Sequence, residues 1–111
     1  NKIEIQARSI FLQGLGLCDV KNLPSKFKKY KKYWIKRDKL LKSQKITSNE
    51  LAINFVYQND FIDKIIIGVD NIDQLKSLIK TKRKTLVNTK NYAILNKKII
   101  SPYLWKKNNL I

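Results

Sequence analysis

Two kinds of apolar spacing take turns along this chain. Residues 2–8 and 63–70 read as strands, the second around the unbroken run Ile65-Ile66-Ile67-Gly68-Val69. Its lack of alternation predicts a strand buried on both faces, as parallel sheets require. Helical spacing comes between. Pro24 suits a first helical turn, and Phe27, Tyr30, Trp34 and Leu41 follow at steps of three, four and seven, which puts one apolar stripe on a helix over 25–42 with lysines over the rest. Thr47 with Glu50 three residues later is a capping box for a helix over 48–58, in which Leu51 with Phe55, and Ala52 with Val56, form i,i+4 pairs. Asn71 is a good N-cap for a third helix over 72–80. Ser9 to about Asn22 reads as an irregular loop whose Gly14 and Gly16 permit unusual backbone angles.

A strand, a long helical connection and a second apolar strand predict a parallel pair, residues 3–7 beside 64–68, because a parallel crossover needs at least a dozen residues. Ligands of parallel α/β folds bind beyond the carboxyl ends of the strands. The residues after Ala7 and after Ile67 are therefore where chemistry is to be sought.

Those residues carry a resemblance. Ala7-Arg8-Ser9-Ile10-Phe11-Leu12-Gln13-Gly14-Leu15 resembles the seventh-strand segment of aldo/keto reductases, where a small residue follows an aromatic and a Gly-Leu closes a loop over the cofactor pyrophosphate. Gly68-Val69-Asp70-Asn71-Ile72-Asp73-Gln74-Leu75 is similar to the eighth strand of that family and the helix after it. Leu51-Ala52-Ile53-Asn54-Phe55-Val56, a helix the family also carries before its last strand, stands between them, so the resemblance covers roughly residues 2–80. Ile100-Ser101-Pro102-Tyr103-Leu104-Trp105 looks like the ending of one branch.

The resemblance implies a (β/α)8 TIM barrel and an NADPH- or NADH-dependent oxidoreductase that reduces a carbonyl by hydride transfer. Such a barrel takes about 250 residues, and this chain has 111. The expectation is therefore a C-terminal fragment, α/β in class. Residues 1–111 form one partial domain, about 1–80 the last two βα units and 81–111 a tail. Asn1 in place of Met, and an opening almost directly on a strand, fit a truncated N-terminus. The family's catalytic Asp, Tyr, Lys and His lie on earlier strands, and this chain has no His. No catalytic residue is carried over, and the fragment alone is expected to be inactive. The variant Arg8-Ser9-Ile10-Phe11-Leu12-Gln13-Gly14 resembles a branch associated with surface-sugar biosynthesis, which implies a sugar-related carbonyl substrate.

The resemblance puts Arg8, Ser9, Phe11, Gln13 and Gly14 at the cofactor, Gly68, Val69, Asp70 and Gln74 near its ribose, and Leu78 near the adenine. Physically, the Ser9 hydroxyl, the Gln13 amide and an unobstructed Gly14 suit a pyrophosphate, which needs donors and close approach. Arg8 replaces the family's usual aromatic. Two readings stand: its guanidinium stacks on the nicotinamide, or it turns toward a carboxylate or an anionic substrate. Asp70 and Gln74 stand where reductases preferring the phosphorylated cofactor carry cations, which tilts the expectation toward NADH. Acidic residues at a helix start also favour the dipole with no cofactor at all.

Charge opens a second class. The chain has 24 Lys+Arg against 8 Asp+Glu, enough to attract nucleic acid or an anionic surface. Only Arg8, Arg37 and Arg83 are arginines, however, and specific phosphate or base reading generally uses the planar Arg fork. Abundant Lys, Ile and Asn read as compositional bias, and no specific nucleic acid is expected. A small basic nucleic-acid-binding protein, with Tyr30, Tyr33 and Trp34 as a stacking platform, remains the alternative, and a nonfunctional gene fragment is a third. No apolar run is long enough for a membrane span. The lone Cys18 forms neither an internal disulfide nor a metal cluster and fits a reducing, cytoplasmic setting. Trp105 either lines a substrate pocket or seals the tail to the body.

Overall fold

The computed structural model describes residues 2–110. The predicted apolar stripe is the axis of its core. Pro24, with its φ fixed at −54°, sets the entry to a 3₁₀ helix, Ser25–Tyr30, which passes directly into α1 (Lys31–Gln44). The first six residues of the expected helix are thus 3₁₀ and not α, and the three-residue step from Phe27 to Tyr30 matches that tighter period. Phe27, Trp34 and Leu41 are buried and Tyr30 is half-buried, while the lysines between them face outward. Lys45 ends α1 in the left-handed region at φ 54°, and Ile46 N–H closes back onto Leu41 O. Both halves of the Thr47/Glu50 capping box form, and α2 (Ser48–Tyr57) starts there. Of its two apolar pairs, Val56 is buried and Phe55 is half exposed, so only part of that face is covered.

The tail supplies the other side of the core. Ile99, on the single-turn helix α4 (Lys97–Ile100), and Trp105 and Leu110 pack with Leu15, Leu23, Phe27 and Trp34. Trp105 meets Phe27 edge-on at 5.1 Å between ring centroids and donates its indole N–H to Ile99 O at 3.0 Å. Trp105 therefore seals the tail to the body. Residues 82–86 are held by two amides one turn apart, Asn54 on α2 and Gln58 at its C-cap. Asn54, 1% exposed, donates to Glu50 O and Lys82 O and accepts from Lys84 N–H. Gln58 donates to Leu86 O and accepts from Leu86 N–H. These side chains act as a substitute strand for a segment that has no ladder partner of its own.

The strands are parallel, as expected, and shorter than expected. β1 (Gln6–Arg8) pairs with β2 (Lys64–Ile66) in the register Gln6↔Lys64, Ala7↔Ile65, Arg8↔Ile66. Ile5 extends the contact by donating to the Asp63 carboxylate at 2.9 Å and accepting from Asp63 N–H. Residues 2–5 and 67–70 lie outside the ladder, because each strand has only the other as neighbour and the pairing stops where they diverge. Burial on both faces is not found either: Ile65 and Ile67 are half-buried and Ile66 is 52% exposed. α3 (Ile72–Ile79) follows its Asn71 cap, whose side chain accepts from Gln74 N–H at 2.9 Å. None of its residues is buried, and Ile72, Leu75 and Ile79 form an exposed apolar stripe.

The architecture is α/β, with four α-helices and one parallel strand pair among the described residues. Its radius of gyration, 14.7 Å, exceeds the roughly 13 Å usual for a self-contained domain of this length. No helix among the described residues is long and apolar enough to cross a membrane.

Candidate functional site

β1 runs out at Arg8 into a loop with an uncommon backbone. Ser9, Leu12 and Gln13 have φ of 58°, 51° and 53°, and Gly14 has φ 84°. Left-handed geometry costs an ordinary residue about 1–2 kcal/mol, so three such residues in five positions are held by their surroundings. Leu12 N–H reaches Ser9 O, Gly16 N–H reaches Phe11 O at 2.9 Å, and Leu17 N–H reaches Gly14 O. Arg37 secures the far end from α1: it is 9% exposed and donates to Gly16 O at 2.7 Å, to Cys18 O and to the Asp38 carboxylate. Gly16 itself is needed for room and not for an unusual angle, since a Cβ there would lie 3.0 Å from Phe11 O.

The result is a cleft of about 700 Å³ at the carboxyl ends of both strands, walled by the 9–14 loop, by Ile66-Ile67-Gly68 and by the start of α3. Ser9, Phe11, Gln13, Gly14, Gly68, Asp70, Gln74 and Leu78 all line it. Arg8 and Val69 do not. Arg8 is exposed on β1 and makes no ion pair among the described residues, which leaves neither of its two readings favoured. Asn49, Leu17 and Ser77 also line the cleft, and Asn49 donates to Ser77 Oγ at 3.3 Å, tying the start of α2 to α3. No local pattern singles these three out; α2 and α3 bring them together only in the fold.

The wall is rich in unused donors. Among the described hydrogen bonds, the N–H groups of Phe11, Gln13 and Gly14, the Ser9 hydroxyl and the Gln13 amide have no protein acceptor. Nothing stands within 4 Å of where a Cβ would lie on Gly14 or Gly68, so a ligand can approach the backbone at both. Successive free N–H groups next to left-handed residues form a concavity suited to anionic oxygen. At the opposite wall Asp70 N–H donates to Gln74 Oε1 at 2.8 Å, which rigidifies the turn into α3.

Across the loop lies a second cavity of about 470 Å³, mostly apolar, between Leu12, Trp34, Phe55 and Tyr92. The Tyr92 hydroxyl is buried without a partner among the described residues, and burial pushes its pKa up. Among the described residues no group of three His, Cys, Asp or Glu side chains is placed to hold a metal ion.

Comparison with protein-family models, curated proteins and solved structures finds no match to this chain.

Proposed function

We propose that this chain holds the cofactor site of a nicotinamide-dependent oxidoreductase of the aldo/keto reductase kind, reducing a carbonyl, and that its βα units are the last two of a (β/α)8 barrel. The observation that carries the reading is the convergence of Ser9, Phe11, Gln13, Gly14, Gly68, Asp70, Gln74 and Leu78 on one cleft beyond the ends of parallel strands. Segments about fifty residues apart in sequence supply them. The exposed Ile66 and the apolar stripe of α3 add support, since further barrel elements would cover such surfaces.

When bound, the nicotinamide supplies the hydride. The chain's own residues orient and hold: the 9–14 loop meets the phosphates with free N–H groups, Ser9 and Gln13 add side-chain donors, and Gly68 leaves room for the ribose. The proton donor and the residues that select the carbonyl, a sugar-related one under this reading, belong to parts of the enzyme beyond these 111 residues.

Titration of the full chain with NADH and NADPH tests this. The double change Ser9→Ala with Gln13→Ala should weaken binding about ten- to a hundredfold, roughly 1–3 kcal/mol, as two hydrogen bonds to a charged group are lost. Absence of binding, or an unaffected double variant, would overturn the reading.

One observation favours a second reading. Lys31, Lys32, Lys36, Lys39 and Lys42 are all exposed and share one face of α1, a footprint suited to a polyanion. Lys28, Lys29, Lys31 and Lys32 changed together to Gln should leave dinucleotide affinity unchanged. If they instead abolish a tight, steeply salt-dependent association with RNA or DNA, the basic-module reading takes over.

A further inference from the structure

The second cavity, across the 9–14 loop from the cleft, has no part in dinucleotide binding. Its volume of about 470 Å³ is roughly three times the ~150 Å³ of an apolar cavity that holds benzene, and lies within the range of small-molecule sites. Tyr33, Trp34, Phe55 and Tyr92 stand in its wall, an aromatic lining suited to a flat ring system. One polar atom there is out of place. The Tyr92 hydroxyl is buried with no hydrogen-bond partner among the described residues, whereas buried polar groups are ordinarily satisfied. Burial pushes its pKa up from 10.0, which keeps it a neutral O–H, a donor for an acceptor that its neighbours do not supply. Arg37, in the same wall, is already engaged by Gly16 O, Cys18 O and the Asp38 carboxylate.

Charge narrows the identity of the missing acceptor. A smaller hollow of about 320 Å³ shares Tyr33, Arg37 and Tyr92 with the cavity and is lined by Lys32 and Lys36, one turn apart on α1. Neither lysine takes part in an ion pair among the described residues, and no Asp or Glu lines either space. We propose that the cavity binds an aromatic monocarboxylate, its rings against the aromatic wall and its carboxylate at the Tyr92 hydroxyl, on the side of Lys32 and Lys36. A carboxylate supplies the acceptor that Tyr92 lacks, and its charge meets two cations and no anion. A hydrocarbon of the same size would fill the volume and leave the hydroxyl unpaired. The proposal is independent of the dinucleotide reading, because none of these residues lines the cleft.

The test is calorimetric titration of the full chain at physiological salt with 2-naphthoate and with 2-naphthamide, which has nearly the same shape and no charge. One 2-naphthoate should bind per chain, about tenfold or more tighter than the amide. Tyr92→Phe should weaken 2-naphthoate by about tenfold or more and, by removing an unpaired buried hydroxyl, should raise the thermal midpoint of the unliganded chain. Lys32→Gln with Lys36→Gln should weaken binding severalfold, while Lys28→Gln with Lys29→Gln, an equal loss of charge away from both spaces, should leave it unchanged. No binding of 2-naphthoate, several molecules bound per chain, equal affinity for the amide, or equal losses from the two lysine pairs overturns the proposal. So does a Tyr92→Phe chain with unchanged affinity or a lowered midpoint.

Discussion

The two sides of this molecule are built to different standards. On one, the 3₁₀ segment, α1 and the tail close around Phe27, Trp34, Ile99 and Trp105, each at most 6% exposed. On the other, β2 and α3 show water an apolar run and an apolar stripe, and α3 buries nothing. The second side is the richer in isoleucine and leucine, through Ile65, Ile66, Ile67, Ile72, Leu75, Leu78 and Ile79. What separates them is a partner: the first side has its own tail to pack against, and the second has only a two-stranded sheet. Hydrophobic patterning specifies that a face will be covered and not what covers it.

The sharpest way to break this contrast is by truncation in each half. Trp105→Ala removes an indole from the middle of the closed core, where such changes cost about 3–5 kcal/mol, and should abolish cooperative folding as followed by near-ultraviolet circular dichroism. Ile79→Ser, at a site 73% exposed, should shift stability by no more than about 0.5 kcal/mol. Comparable losses from the two changes would dissolve the distinction.

Arg37 bridges the core and the cleft loop. Arg37→Leu leaves Gly16 O and Cys18 O without their donor and should cost about 1.5–3 kcal/mol in chemical denaturation. It should also loosen the 9–14 loop, visible as faster amide exchange at Gly16 and Leu17, while exchange in α3 stays unchanged.

The helix caps make a finer comparison, since the same chemistry occurs in both halves. Thr47→Ala on α2, which buries Ile53, Asn54 and Val56, should lower global stability by about 1 kcal/mol. Asn71→Ala on α3 should produce local fraying, seen in amide exchange at Gln74 and Leu75, with little change in the global transition.

The smallest effect concerns pH. Glu50 has its carboxyl held below the usual value of 4.5, first by the Thr47 backbone N–H and further by Lys84. A depressed folded-state pKa gives stability that is complete above the unfolded value and is lost as pH falls through the folded one. Glu50→Gln should therefore reduce stability near neutrality slightly and make the curve below about pH 4.5 shallower than that of the unaltered chain. Equal acid slopes for the two proteins would remove Glu50 from the account.

Local elements were legible wherever short-range chemistry decides them. The capping box at Thr47, the cap at Asn71, the stripe from Phe27 to Leu41 and the parallel order of the strands follow from spacing, because capping and helical faces depend on residues within a turn or two. The residues singled out by resemblance, Arg8 and Val69 apart, line one cleft because they follow the two strand ends or lie on the helix after the second. Only the tertiary structure decided the rest. The tail shows little local pattern before residue 100 because its order comes from outside it, from Asn54 on α2 and Gln58 at that helix's C-cap, and Phe27 beneath Trp105 fixes its later part. Arg37 reads as one more solvated cation until the fold sets the carbonyls of Gly16 and Cys18 against it. How far each strand stays in its ladder, and how much of Ile66 remains in water, likewise depend on neighbours across the sheet. Spacing along a chain records which contacts a residue is fitted to make, and only packing determines which of them are made.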